Sequence, residues 1–204
     1  RVYRELFKDA AGATLTIVGN VDLETLKPMV EKYIGSIKKG KKAAKINRDN
    51  LIGFAKGNVD QKVAIPMQTP KSTVLQLYSA YMPIDTKTEV TLEVAKYILD
   101  VIYTKTIREE EGGTYGVGSS LSASRAPYDR VTFMVQFDTN PEQAPKLSGL
   151  TVQYLKELAQ NGPTAEEFAM AMENIQKNLP ESRITNSYWQ SALSLNQEFG
   201  IDYD

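Results

Sequence analysis

The chain has 204 residues, with 24 lysines and arginines against 25 aspartates and glutamates and a formal net charge of −1. That balance carries no overall basic footprint for nucleic acid or an anionic membrane surface, and no apolar run reaches membrane-spanning length. There is no cysteine and no histidine, which excludes disulfides, Ser-His-Asp and Cys-His catalysis, and any zinc site built on imidazole or thiolate.

Carboxylate-only magnesium or calcium sites stay open, although no loop has the acidic spacing of a calcium hand. At 42% hydrophobic residues, the chain has material for one large domain or one and a half smaller ones. It opens on Arg1 instead of methionine, which reads as a processed product or a piece of a longer one.

In chain order, residues 1–10 read as the end of a helix with Val2, Leu6 and Phe7 on its apolar side. ATLTIV, Ala13–Val18, reads as a strand closed by Gly19 and Asn20. Asp22 is an N-cap for a helix to about Ile34, with Leu23, Leu26, Met29, Val30 and Tyr33 on a core-facing stripe and Pro28 expected to kink it. Gly35 ends it, and Lys38, Lys39, Lys41, Lys42 and Lys45 form a basic run that reads as a solvated linker. The organisation expected is a leading unit at 1–39, a linker at 40–58 and a larger unit at 59–204.

The larger unit opens with strands expected at Gln61–Met67 and Thr73–Met82. Residues 89–107 place Val94, Ala95, Ile98, Leu99, Val101 and Ile102 at helical spacing. Arg108 falls in the last turn, Gly112 and Gly113 end the helix, and a strand is expected from Thr114, with Tyr115 at its start. Val131–Asp138 alternates, with Val131, Phe133, Val135 and Phe137 on one face and Thr132, Gln136 and Asp138 on the other. A helix stripe over Leu147–Leu158 follows, then a capping box at Thr164 and Glu167, a break or kink at Pro180, and a last helix to Phe199 before Gly200. The fold class expected is α+β, an antiparallel sheet with helices packed on one face.

Arg108 and Tyr115 are two long donors at a helix end and a strand start, able to meet in one space. An arginine followed by Glu109, Glu110 and Glu111 is equally what a solvated helix end looks like, and a tyrosine in a strand commonly serves packing. Spacing alone leaves both readings open.

The runs IREEEGGTYGVGSS, FDTNPEQA, NGPTAEEF and NSYWQ resemble the C-terminal half of an insulinase/pitrilysin-family zinc metallopeptidase, most of all the last repeat of its large bacterial members. RVYRELFKDAAGATLTIVGNVDLETLKPMVEKYIGSI resembles the closing helix-strand-helix of the preceding repeat. The resemblance implies related α+β domains closing around a substrate chamber, with zinc held on an H-x-x-E-H helix of the N-terminal domain. That motif is absent here. The resemblance implies a non-catalytic chain that holds no metal and whose partner is a zinc-bearing half of the same protein or a separate subunit.

It further implies that Arg108 and Tyr115 bind peptide substrate beside the zinc. A catalytically silent scaffold or partner subunit of the same fold is the alternative, and a free-standing peptide-binding module is a third. The compartment stays open between bacterial periplasm and cytoplasm. If residues 1–39 close a preceding repeat, the trailing one lacks its own closing strand, and Ala13–Val18 is expected to join the trailing sheet or to pair with another chain.

Overall fold

β-branched and aromatic residues gather in three stretches. In the computed structural model these form an antiparallel sheet of β1 (Ser72–Tyr81), β2 (Val117–Ser124) and β3 (Arg130–Thr139) in the order β1-β3-β2. The structure describes residues 3–4, 7–40 and 53–201. The helices given in full among the described residues are α1 (Leu23–Tyr33), α2 (Thr86–Tyr103), α3 (Ala144–Asn161), α4 (Ala165–Arg183) and α5 (Asn186–Phe199). The architecture is α+β, as the alternation of patterns predicts.

By its contacts the chain divides into two units, Ile52–Ile175 and Arg1–Leu51 with Gln176–Asp204. In the first, β3 is the central strand, and its period-2 pattern sends Val131, Val135 and Phe137 into the core. Val135 and Phe137 meet Leu99, Tyr103 and Ile107 from α2 and its extension, and Leu147 from α3. Each such fully buried side chain contributes about 1.5–3 kcal/mol by leaving water. A second cluster joins Val94 and Ile98 to Ala171 of α4.

A polar net also ties β1 to α3. The Gln76 amide donates to the Ser148 carbonyl at 2.9 Å and accepts from the Thr151 and Tyr78 hydroxyls at 3.0 and 3.1 Å.

Helix ends follow their chemistry. The Asp85 carboxylate accepts the Thr88 N–H at 2.7 Å to open α2, and these bonds hold its pKa below the usual carboxylate range. At Thr164 the capping box closes in both directions. Its N–H donates to Glu167 at 2.8 Å, and its hydroxyl accepts the Glu167 N–H at 3.2 Å. Neither Pro28 nor Pro180 breaks its helix.

In the other unit, the Asp22 carboxylate caps α1 through the Thr25 N–H at 2.9 Å, and the Ala10 N–H donates to the Lys38 carbonyl at 2.9 Å. The Trp189 indole N–H donates to the Arg183 carbonyl at 2.7 Å, linking the end of α4 to α5.

Four expectations are corrected. Residues 13–18 form no strand and do not join the sheet, and Leu15 and Ile17 are exposed. Residues 61–67 are likewise outside any ladder, with Val63, Ile65 and Met67 exposed. β-forming residues state a preference that only a partner strand realises, and Pro66 has no N–H to offer one. The stripe on α1 faces no core, since Leu23, Met29 and Tyr33 are all exposed. Amphipathicity marks a face suited to burial without supplying its cover. The fourth correction concerns Tyr115 and belongs with the site. Val2, Leu6, Lys41, Lys42 and Lys45 lie outside the described residues, as does most of the expected linker.

Candidate substrate-facing site

The site is built by the way α2 ends. Past Tyr103 the helix widens into a π-helical stretch, Thr104–Glu110, in which the Glu111 N–H reaches back five residues to the Thr106 carbonyl at 3.0 Å. Tyr103 and Ile107 are both fully buried and clamp the stretch to the core. The Tyr103 hydroxyl donates to the Thr151 carbonyl at 3.0 Å, and burial pushes its pKa well above the ordinary phenol value. Arg108 is the next residue after Ile107, so the clamp that buries Ile107 turns Arg108 out to solvent in the last turn. A cation there sits where the helix dipole favours it.

Two glycines then reverse the chain, each for its own reason. Gly112 has φ +59°, a conformation L side chains rarely adopt. Gly113 is pressed against α3, where an added Cβ would lie 2.6 Å from Leu147 Cδ1. Thr139 of β3 donates to the Gly113 carbonyl, and Lys146 pairs with Glu111. The turn is held from both flanks.

Tyr115 does not start a strand. It stands at a bend two residues before β2 begins at Val117. The Thr114 hydroxyl accepts the Gly116 N–H at 3.2 Å and donates to the Gly116 carbonyl at 3.0 Å. Such local side-chain bonds compete with ladder formation, which is why the strand starts late. The bend leaves the Tyr115 side chain fully exposed.

Tyr115 forms one wall of an open groove of about 460 Å³ on the face of the sheet opposite α2 and α3. Its floor comes from Gly118 and Ser120 of β2 and from Met134, Gln136 and Asp138 of β3. The Asp138 carboxylate accepts from the Thr73 hydroxyl at 2.5 Å and from Lys71 at 2.9 Å, which hold its pKa below the usual range. The rest of the lining carries no charge: Ser120 and Gln136 offer groups that both donate and accept, and Met134 and Phe137 add apolar surface.

Arg108 is not among the groove's lining residues. The structure therefore brings Tyr115 to a concave surface and leaves Arg108 on the helix end that leads to it. Thr114, Gly118 and Met134 escaped the sequence reading; a glycine inside a strand pattern was the available signal.

A second concavity, about 470 Å³ and apolar, lies among α2, α3 and α4 around Val94, Leu155 and Met172, away from these residues. Zinc finds no fitting donors here. The chain has no histidine or cysteine, and among the described residues no three acidic side chains converge. Among the described residues no helix is long and apolar enough to cross a membrane.

The comparisons with known proteins agree with this architecture. Residues 1–175 match the family model described as peptidase M16 inactive domain. The chain is 26% identical over 183 residues to a probable zinc protease, PqqL, of Escherichia coli, covering 86% of this chain and 19% of that protein. It is also 26% identical over 204 residues to a zinc protease PQQL-like protein of Arabidopsis thaliana, covering 94% and 21%. The chain thus spans about a fifth of the length of these relatives. The crystal structure of the periplasmic protease PqqL of Escherichia coli superposes with a TM-score of 0.65 at 22% identity, over 89% of this chain and 20% of that one. On the family match, which takes in the sheet, the turn and the bend at Tyr115, this chain belongs to the peptidase M16 inactive domain family.

Proposed function

We propose that this chain is the non-catalytic portion of a zinc metalloendopeptidase, that it forms part of the substrate chamber, and that Arg108 and Tyr115 bind peptide substrate next to a zinc held by another domain. One observation carries the reading. Tyr115 is a fully exposed aromatic donor, held at a bend by Thr114, at the wall of an open groove. An exposed tyrosine on a constrained backbone is ready to meet a ligand without a folding step of its own.

The Tyr115 hydroxyl and the Arg108 guanidinium, aimed at substrate carbonyls, hold a peptide extended. Where the hydroxyl meets the oxygen on which negative charge develops, its loss costs about 2–4 kcal/mol of transition-state stabilisation, and less where it only positions the chain. Residues 1–39 are read, on resemblance, as closing a preceding repeat, and 59–204 as a repeat of their own.

The test uses the complete gene product. Tyr115→Phe and Arg108→Ala are expected to lower kcat/KM for peptide hydrolysis with the melting temperature unchanged; wild-type hydrolysis in both variants would sink the assignment. Metal analysis of this chain alone should find no stoichiometric zinc, and one tightly held equivalent would contradict it. An upstream domain bearing H-x-x-E-H supports the peptidase. Its loss there makes the chain part of a silent scaffold.

A further inference from the structure

Gly118 has none of the ordinary reasons for being glycine. Its φ is not in the left-handed region, unlike that of Gly112. β2 pairs with β3 in unbroken register from Val117↔Phe137 to Ser124↔Arg130, so there is no bulge at 118. No neighbour forbids a side chain either, since an added Cβ would lie 3.7 Å from the Gln136 carbonyl oxygen, an ordinary contact, whereas at Gly113 it would collide with Leu147. Glycine inside a strand costs stability relative to a β-branched residue. With strain, bulge and packing set aside, the remaining reason is close approach by another chain.

The surroundings say what kind of chain. Gly118 lies opposite Gln136 in the ladder, and both help form the groove beside Tyr115. Gln136 is exposed, and among the described residues its carboxamide makes no hydrogen bond. A carboxamide offers a donor and an acceptor side by side, the complement of a peptide group. Ser120 and Tyr115 add hydroxyls, and the one charge in the groove, Asp138, is matched by Lys71. A groove with no unmatched charge, with a few groups that donate and accept set in apolar surface from Met134 and Phe137, fits an extended peptide better than it fits an ion.

We infer that Gly118 is a peptide-binding position: its missing side chain leaves the sheet face beside Tyr115 open, so that an extended peptide lies across it with a peptide group on the Gln136 carboxamide. This rests on the reading that Tyr115 meets substrate. It adds that the contact is with main chain, so that tight binding tolerates many side chains at that point.

The experiment measures binding of a fluorescein-labelled, unstructured casein peptide to the complete gene product by fluorescence anisotropy, with a metal chelator present to stop turnover. Gly118→Val is expected to weaken binding at least about tenfold, and Gln136→Leu severalfold, as the loss of one well-placed hydrogen bond would. Ser122→Val, on the same strand and outside the groove, should stay within about twofold of wild type. Melting curves should show all three folded, since valine suits a strand.

Wild-type affinity in Gly118→Val, with Tyr115→Phe weakened, overturns the inference and spares the reading of Tyr115. Weakening in Gly118→Val with Tyr115→Phe unchanged overturns the reading of Tyr115 and, with it, the placement of the peptide beside that residue. A wild-type protein with no affinity for the probe overturns both.

Discussion

The two faces of the sheet are made by the same alternation and behave differently. On the helix side, Val74, Gln76 and Tyr78 of β1 and Val135 and Phe137 of β3 face α2 and α3 across an apolar core and one polar net. On the other side, Leu75, Leu77 and Tyr81 of β1 stay exposed, as do Gln136 of β3 and Ser120 and Ser122 of β2. A side chain on the first face contributes stability; one on the second contributes almost none and is free to be chosen for what it meets. Tyr103 and Tyr115 show the contrast in one residue type. One hydroxyl is buried and spent on the Thr151 carbonyl, the other stands in solvent with no side-chain partner among the described residues.

Substitutions should separate the faces, most sharply in the core. Leu147→Ala removes a fully buried side chain that packs with Tyr103, Ile107 and Phe137, and should cost about 2–5 kcal/mol in urea unfolding. Leu77→Ala on the open face should stay within about 0.5 kcal/mol. Equal effects would erase the distinction. Next in size is the ion pair of Arg125 with Glu89 at 2.9 Å, where the arginine side chain is only 7% exposed. Glu89→Ala should cost about 3 kcal/mol, the lower end for a broken buried pair because Glu89 itself is partly solvated.

Much of the helix-covered face was legible in the sequence. The alternation of Val131 to Phe137 and the spacing of Val94, Ile98 and Leu99 name the core directly, and Thr164 with Glu167 announces its capping box. The open face was less legible, because alternation says which residues point outward and nothing about which of them frame a groove. Where partners decide the outcome, patterns misled. Residues 13–18 and 61–67 have strand chemistry and no ladder, and α1 has a stripe that buries none of its residues. Tyr115 fell outside its expected strand because one hydroxyl, on Thr114, captured the backbone of Gly116. The π-helical stretch that carries Arg108 left no signal in spacing, since Tyr103 and Ile107, four residues apart, would share a face of an ordinary α-helix as well.

Tyr103 offers a smaller and more selective probe. Tyr103→Phe leaves the Thr151 carbonyl without this donor and should cost about 1–2 kcal/mol at neutral pH. The folded-state pKa of Tyr103 is raised above the ordinary value near 10, chiefly by burial, so the folded chain keeps a proton that the unfolded chain gives up. Stability that is complete below pH 10 must therefore fall as pH rises past it. Melting temperatures from pH 8 to 11 should show that decline in the wild type and a shallower one in Tyr103→Phe. Parallel curves would mean that the buried hydroxyl is not what titrates.

The smallest expected stability effect belongs to Tyr115. Tyr115→Phe deletes a hydroxyl that makes no bond within the described residues, from a side chain already in solvent, so unfolding should change by less than about 0.5 kcal/mol. Thr114→Val is the sharper variant, since it removes the hydroxyl that holds Gly116 and frees the bend without touching the tyrosine. Urea unfolding should again move little. In the complete gene product, however, hydrolysis should fall for both variants, because a tyrosine on a loosened bend meets substrate less often in the productive geometry. Full activity in Thr114→Val alongside impaired Tyr115→Phe would show that the tyrosine matters and its constrained backbone does not.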